Sequence, residues 1–105
     1  MYIIAVYCPS THLDKIKEEM FAAGGGQIGE YDCCSFEYKG IGQFRASSKA
    51  NPFLGKAGEV ERVEEIKLEM VCKKELVSRV LMAMKKAHPY EEPAYHVLKN
   101  YSDQF

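Results

Sequence analysis

Residues 66–98, "IKLEMVCKKELVSRVLMAMKKAHPYEEPAYHVL", decide the fold, because the hydrophobic period changes twice within them. At first it is two: Ile66, Leu68, Met70 and Cys72 fall on one side and Lys67 and Glu69 on the other, as a half-buried strand requires. From Lys73 it becomes helical. Leu76, Val80, Met84 and Ala87 share a stripe, Leu81 and Met82 broaden it, and Lys85 and Lys86 stand near the end, where the helix dipole favours cations. Pro89 and Pro93 forbid continuation, so "YHVLKNY", residues 95–101, reads as a closing strand. Upstream, Val63 is out of phase with Ile66, which predicts a bulge near Glu64.

The first half has the same plan. "YIIAVYC", residues 2–8, is a nearly continuous apolar run, the mark of a strand covered on both faces or central in a sheet. Pro9 stops it. Thr11 and Asp14 resemble a capping box, and Leu13, Ile16, Met20 and Ala23 then recur at helical spacing until glycines 24–26 end the helix. From Tyr31 the period is two, with Cys34, Phe36 and Tyr38 opposite Cys33, Ser35 and Glu37. Lys39-Gly40 reads as a turn, "IGQFRA" as a short arm pairing back, and Gly42 as a bulge or a close backbone approach. Residues 47–59 are too broken by Pro52, Gly55 and Gly58 for regular structure, and a loop of that length is commonly functional. The order strand, helix, strand, strand, helix, strand is the βαββαβ pattern of a ferredoxin-like α+β sandwich, an antiparallel sheet with both helices on one face. The opposite face then needs a cover, and a sister copy is the cheapest supply.

Length and composition set the outer limits. A chain of 105 residues fits one domain, 1–105. With 14 basic and 15 acidic residues, composition offers neither a nucleic-acid footprint nor a membrane-attracting face. No apolar run approaches the roughly 20 residues of a bilayer span, and the start lacks a signal-peptide pattern, so a cytoplasmic location is expected. Cys8, Cys33, Cys34 and Cys72 include no C-x-x-C, and neighbouring Cys33 and Cys34 on a strand would point to opposite faces. Reduced, mostly buried thiols are expected.

"HPYEEPAYH", residues 88–96, is the densest cluster of chemistry-bearing side chains. As a joint, its prolines rigidify a turn, Tyr90 and Tyr95 pack their rings, and Glu91 or Glu92 accepts hydrogen bonds from local backbone or a neighbouring subunit. As a site, His88, Glu91 and His96 would bind a divalent metal ion, with convergence the difficulty. Residues 50–57 fail as a P-loop, because Ala50 stands at the first glycine position and Ala57 at the hydroxyl position. Arg45 is a candidate partner for an acidic neighbour or an anion. Cys8 with His12, and Ser47 or Ser48 alone, make no convincing nucleophile constellation, so no catalytic residue is assigned.

The motifs G-x-I-G-x-Y (26–31), G-x-G-x-F (40–44), N-P-F-x-G-x-x-G (51–58) and H-P-Y-E-E-P-A-Y (88–95) occur in that order. Together they resemble the inserted module of the Nif-three-like dinuclear-metal proteins, itself similar to the CutA and PII-type trimeric signalling folds. The resemblance runs from Tyr2 to about Lys99 and implies a CutA/PII-like, trimeric module. In that family the two-metal centre lies in domains flanking the insert. This chain starts at the insert's first strand and stops after its last, so no dinuclear ligands and no hydrolase activity carry over. By analogy with the long loop of PII-type modules, Lys49 and Lys56 are candidate phosphate contacts. The resulting expectation is a non-enzymatic, oligomeric binding or regulatory module, its ligand between subunits beside Arg45, Lys49, Lys56, Tyr90 and Glu92. The alternatives are a divalent-metal-binding protein using 88–96, and a structural partner of a larger metal enzyme.

Overall fold

With thirteen residues, β3 (Val60–Cys72) is the longest strand, and the sheet is built around it. The computed structural model describes residues 1–105. In chain order the other elements are β1 (Tyr2–Cys8), α1 (Leu13–Ala22), β2 (Phe36–Arg45), α2 (Val77–Ala87) and β4 (Tyr95–Lys99), with short 3-10 turns at Ser10–His12, Lys74–Leu76 and Ser102–Gln104. The four strands lie in the order β2-β3-β1-β4, every pair antiparallel, which is the ferredoxin-like arrangement.

Register fixes which side chains share a face. Ile4, Val6 and Cys8 stand opposite Met70, Leu68 and Ile66. That face is closed by Ile16 and Met20 of α1 and Val80 and Met84 of α2, giving one core cluster in which most members are wholly excluded from solvent. At about 25 cal/mol per Å² of apolar surface, this cluster supplies most of the driving force for folding. The other face has no helix. Ile3 of β1 pairs with Val71 and Leu98, and Leu98 and Phe36 are exposed. Further along, Lys67 Nζ lies 5.7 Å from the Tyr7 ring and 5.6 Å from the Tyr38 ring. β1 is therefore apolar toward both faces, as its sequence requires.

Several local expectations are corrected. Lys39-Gly40 makes no turn, because β2 runs unbroken past it and pairs Lys39 with Ile66 and Gly40 with Glu65. There is no bulge near Glu64, since the ladder continues regularly from Phe36↔Glu69 to Arg45↔Val60. Val63 falls out of phase because it faces the helix-free side. Gly42 instead marks a close approach: the Glu65 carboxylate lies where a side chain at Gly42 would stand. No capping box forms at α1; Thr11 Oγ1 bonds His12 Nδ1 at 2.9 Å, and the helix begins behind a 3-10 turn. The second strand starts at Phe36, not Tyr31. Ahead of it Cys34 N–H donates to the Gly26 carbonyl at 2.8 Å and Cys33 adopts φ 53, a left-handed backbone no strand continues. Cys33 is accordingly exposed and Cys34 half-buried, so only Cys8 and Cys72 of the four free thiols are buried.

β1 ends opposite Ile66, and from there outward β3 has only β2 as a neighbour. Residues 39–45 and 60–66 thus form a two-stranded arm, which accounts for the elongated 46 × 25 × 21 Å envelope. Ile41 and Val60 on the arm are exposed.

Candidate functional site

The 88–94 segment is locked before it reaches any cleft. Pro89 disfavours helical backbone at His88, which takes φ −78, ψ 135 and closes α2 while its N–H still reaches the Met84 carbonyl at 2.9 Å. The His88 ring then turns into the protein, to only 7% exposure. Its Nε2 lies 2.8 Å from the Tyr7 carbonyl, and its Nδ1 lies 3.1 Å from the Tyr90 N–H. A carbonyl only accepts and an N–H only donates, so the ring is the neutral Nε2–H tautomer. Burial lowers its pKa below the ordinary 6.5, outweighing the opposing pull of the Tyr7 carbonyl and Glu65.

From this anchor the loop 46–59 is pinned back across the arm. Asn51 N–H donates to Glu91 Oε2 at 2.9 Å, a backbone donor from 40 positions away in the same chain rather than the local backbone expected. Phe53 packs edge-on to His12 at 5.6 Å and tilted against Tyr90 at 6.1 Å, and Tyr90 packs on His88 at 4.8 Å. Between loop, arm and 88–94 segment lies a cleft of about 240 Å³. Its apolar wall includes Phe44, Pro52, Phe53 and Leu54, and its charged groups are Glu65, Glu91 and Glu92. The Tyr90 hydroxyl is buried there without a hydrogen-bond partner. Burial, and then the nearby Glu65 carboxylate, raise its pKa well above the usual phenol range. The Glu65 carboxylate is near enough to act on the phenol through its charge and as an approaching acceptor, though no fully formed hydrogen bond reaches the hydroxyl. Cys8 is pushed up to about 11 by burial first and by Glu65 and Glu37 next, so it is a thiol and a poor nucleophile.

The expected site residues divide sharply. Tyr90, Glu91 and Glu92 line the cleft, whereas Arg45, Lys49 and Lys56 are exposed and none lines it. His88, Glu91 and His96 do not gather into a metal-binding group within one chain: both His88 nitrogens serve backbone groups, and His96 is exposed on β4, packed edge-on to Tyr7 at 5.8 Å. Gln43, Phe44 and Glu65 also line the cleft and were not among the site residues expected from the sequence, although Phe44 closes the G-x-G-x-F motif. Glu65 was readable there, since unbroken alternation from Ile66 puts it on the helix-free face; the expected bulge hid it.

The class follows from the architecture. A four-stranded antiparallel sheet with two helices is the CutA/PII-like α+β fold, and a CutA from Nostoc sp. PCC 7120, described as PII-like, superposes with a TM-score of 0.67 at 21% identity over 100% of this chain and 86% of that one. A Bacillus cereus protein related to NIF3 superposes with a TM-score of 0.77 at 36% identity over 92% of this chain and 24% of that one. In sequence, the chain is 45% identical over 95 residues to the GTP cyclohydrolase 1 type 2 homolog of Halalkalibacterium halodurans, across 90% of this chain and 26% of the relative. No family model matches. The chain has a CutA-like fold and is related to one segment of NIF3-related proteins, and it spans about a quarter of the length of those relatives.

Proposed function

We propose that the chain is a non-enzymatic, cytoplasmic, homo-oligomeric binding module, a trimer, which holds a small ligand in the cleft between the 46–59 loop and the 88–94 segment. The observation carrying this reading is the cleft itself: apolar walls, three carboxylates and a buried hydroxyl without a partner. Such a lining favours a ligand with an apolar body and a positively charged or hydrogen-bond-donating group over a phosphate. An anion held by Arg45, Lys49 and Lys56 would sit outside this cleft. The helix-free face, with Phe36 and Leu98 exposed, and the projecting arm favour association of copies.

Native mass spectrometry of untagged protein tests both parts. The expected species is a trimer carrying a small molecule that Phe53→Ala releases. A monomer at high concentration removes the assembly, and a ligand-free trimer from the native source removes the cleft. A second reading, a partner docking on a larger metal enzyme, is favoured by the relation to a segment of longer proteins. Pull-down from native extract tests it, and recovery of no metal enzyme would count against it.

A further inference from the structure

The thiols fall into two populations. Cys8 and Cys72 are buried, and burial raises both pKa values, so they stay protonated inside the core. Cys33 and Cys34 are adjacent in sequence, one exposed and the other half-buried, in the connection between α1 and β2.

Backbone hydrogen bonds hold that connection in place. Ile28 and Tyr31 exchange both backbone hydrogen bonds at 2.9 Å, and Cys34 N–H donates to the Gly26 carbonyl at 2.8 Å. Gly26 sits at φ +76, and a Cβ there would stand 2.7 Å from the Cys34 carbonyl, so the loop lies directly on the glycine turn. Neighbouring residues of an extended chain point to opposite faces, which would hold two thiols apart. The left-handed backbone of Cys33, φ 53, interrupts that alternation. The Cys34 thiol makes only a long hydrogen bond, 3.5 Å, to the Asp32 carbonyl.

We propose that Cys33 and Cys34 form a vicinal dithiol that chelates a single soft, three-coordinate centre of the trivalent organoarsenical class. Sulfur donors select soft centres. No third His, Cys, Asp or Glu joins the pair in a metal-binding group, so a tetrahedral divalent cation lacks ligands here. A pyramidal arsenic that brings its own carbon substituent needs only two sulfurs. In the reaction R–As=O + 2 Cys–SH → R–As(S–Cys)2 + H2O, two As–S bonds form, the As=O bond breaks, and its oxygen leaves as water with both thiol protons. Arsenic and sulfur keep their oxidation states, so no redox partner is involved. After the first As–S bond the second closes intramolecularly, which gives the chelate its advantage over two separate thiols.

The test is titration of the folded, reduced full chain with phenylarsine oxide, read by intact-protein mass spectrometry. One phenylarsenic bridge per chain is expected, removed by a dithiol but not by a monothiol at equal thiol concentration. Cys33→Ser and Cys34→Ser should each lose the bridge, while Cys8→Ala and Cys72→Ala should retain it. Alkylation of the folded wild-type chain before titration, with the modified positions mapped, supplies a readout independent of any variant's folding; labelling at Cys33 and Cys34 should abolish the bridge. An absent adduct, one that forms only after denaturation, one that survives Cys33→Ser, or one that links two chains would overturn the proposal.

Discussion

The two halves of β3 share one unbroken ladder and one facing but come to opposite ends. From Ile66 to Cys72 the even-numbered residues lie beneath both helices and are buried; from Val60 to Glu64 the same face is exposed. The local pattern already separates them, since the even-numbered residues are Ile66, Leu68, Met70 and Cys72 in the one and Val60, Arg62 and Glu64 in the other. The cover changes at the same point, because β1 ends opposite Ile66. Alternation specifies which side chains share a face, and tertiary cover decides whether that face is a core. The body is therefore expected to hold the chain's stability, and the arm and its loop to hold the surface available for binding.

The widest gap between the halves should appear on truncating a core side chain. Met84→Ala removes a wholly buried side chain of the cluster and should cost about 2–5 kcal/mol, measured as a fall in the urea midpoint. Gly26→Ala should follow at about 1–3 kcal/mol, because it places a Cβ at φ +76 within 2.7 Å of the Cys34 carbonyl and 2.8 Å of the Phe21 ring. If either proves neutral, the body is not where the stability lies.

The third prediction concerns pH. The folded-state pKa of His88 is lowered, chiefly by burial, while the unfolded ring keeps the ordinary value of 6.5. As pH falls through 6.5 the unfolded chain takes up the proton first, so stability that is complete above this value declines until the folded pKa is reached. Urea midpoints should rise from pH 5 to pH 7.5, and His88→Gln should remove that part of the slope while lowering the plateau. A wild-type slope unchanged by the substitution would assign the pH dependence elsewhere.

How legible each region was in the sequence follows the same division. β1, the inward half of β3, α2 and β4 were readable because period, length and stop signals agree there, and the antiparallel sheet follows from their order. The arm was not. Lys39-Gly40 has the chemistry of a turn, yet pairing with Ile66 and Glu65 carries β2 straight through it, a case of register overriding local preference. A separate misreading, of the phase of Val63, placed a bulge beside Glu64 and concealed Glu65. In the 88–96 segment the residue types were visible but their directions were not. Whether His88 faces a metal or a carbonyl depends on Pro89 turning it toward the end of β1, a contact between residues 81 positions apart. Glu91 was expected to accept from local backbone or a neighbouring subunit, whereas its donor is Asn51 of the long loop, 40 positions away in the same chain.

Tyr90→Phe gives a smaller effect whose sign is informative. The hydroxyl is buried and unpartnered in the isolated chain, so removing it should leave stability unchanged or raise it by about 1 kcal/mol. A loss instead would mean that the hydroxyl has found a partner in solution, and the cleft is where that partner would sit.

The smallest change in intrinsic stability is expected on the arm, where it best separates the two roles. Ile41 lies on the helix side of β2 beyond the reach of either helix and is 62% exposed. Ile41→Ser should therefore alter the unfolding free energy of a single chain by no more than about 0.5 kcal/mol. If the arm is where copies meet, the same substitution should lower the mean mass in light scattering and make the thermal midpoint depend more steeply on protein concentration, since association stabilises by mass action. A large loss of stability at high dilution, with the mass unchanged, would show the arm to be packed within its own chain, and the contrast between the two halves of β3 would no longer hold.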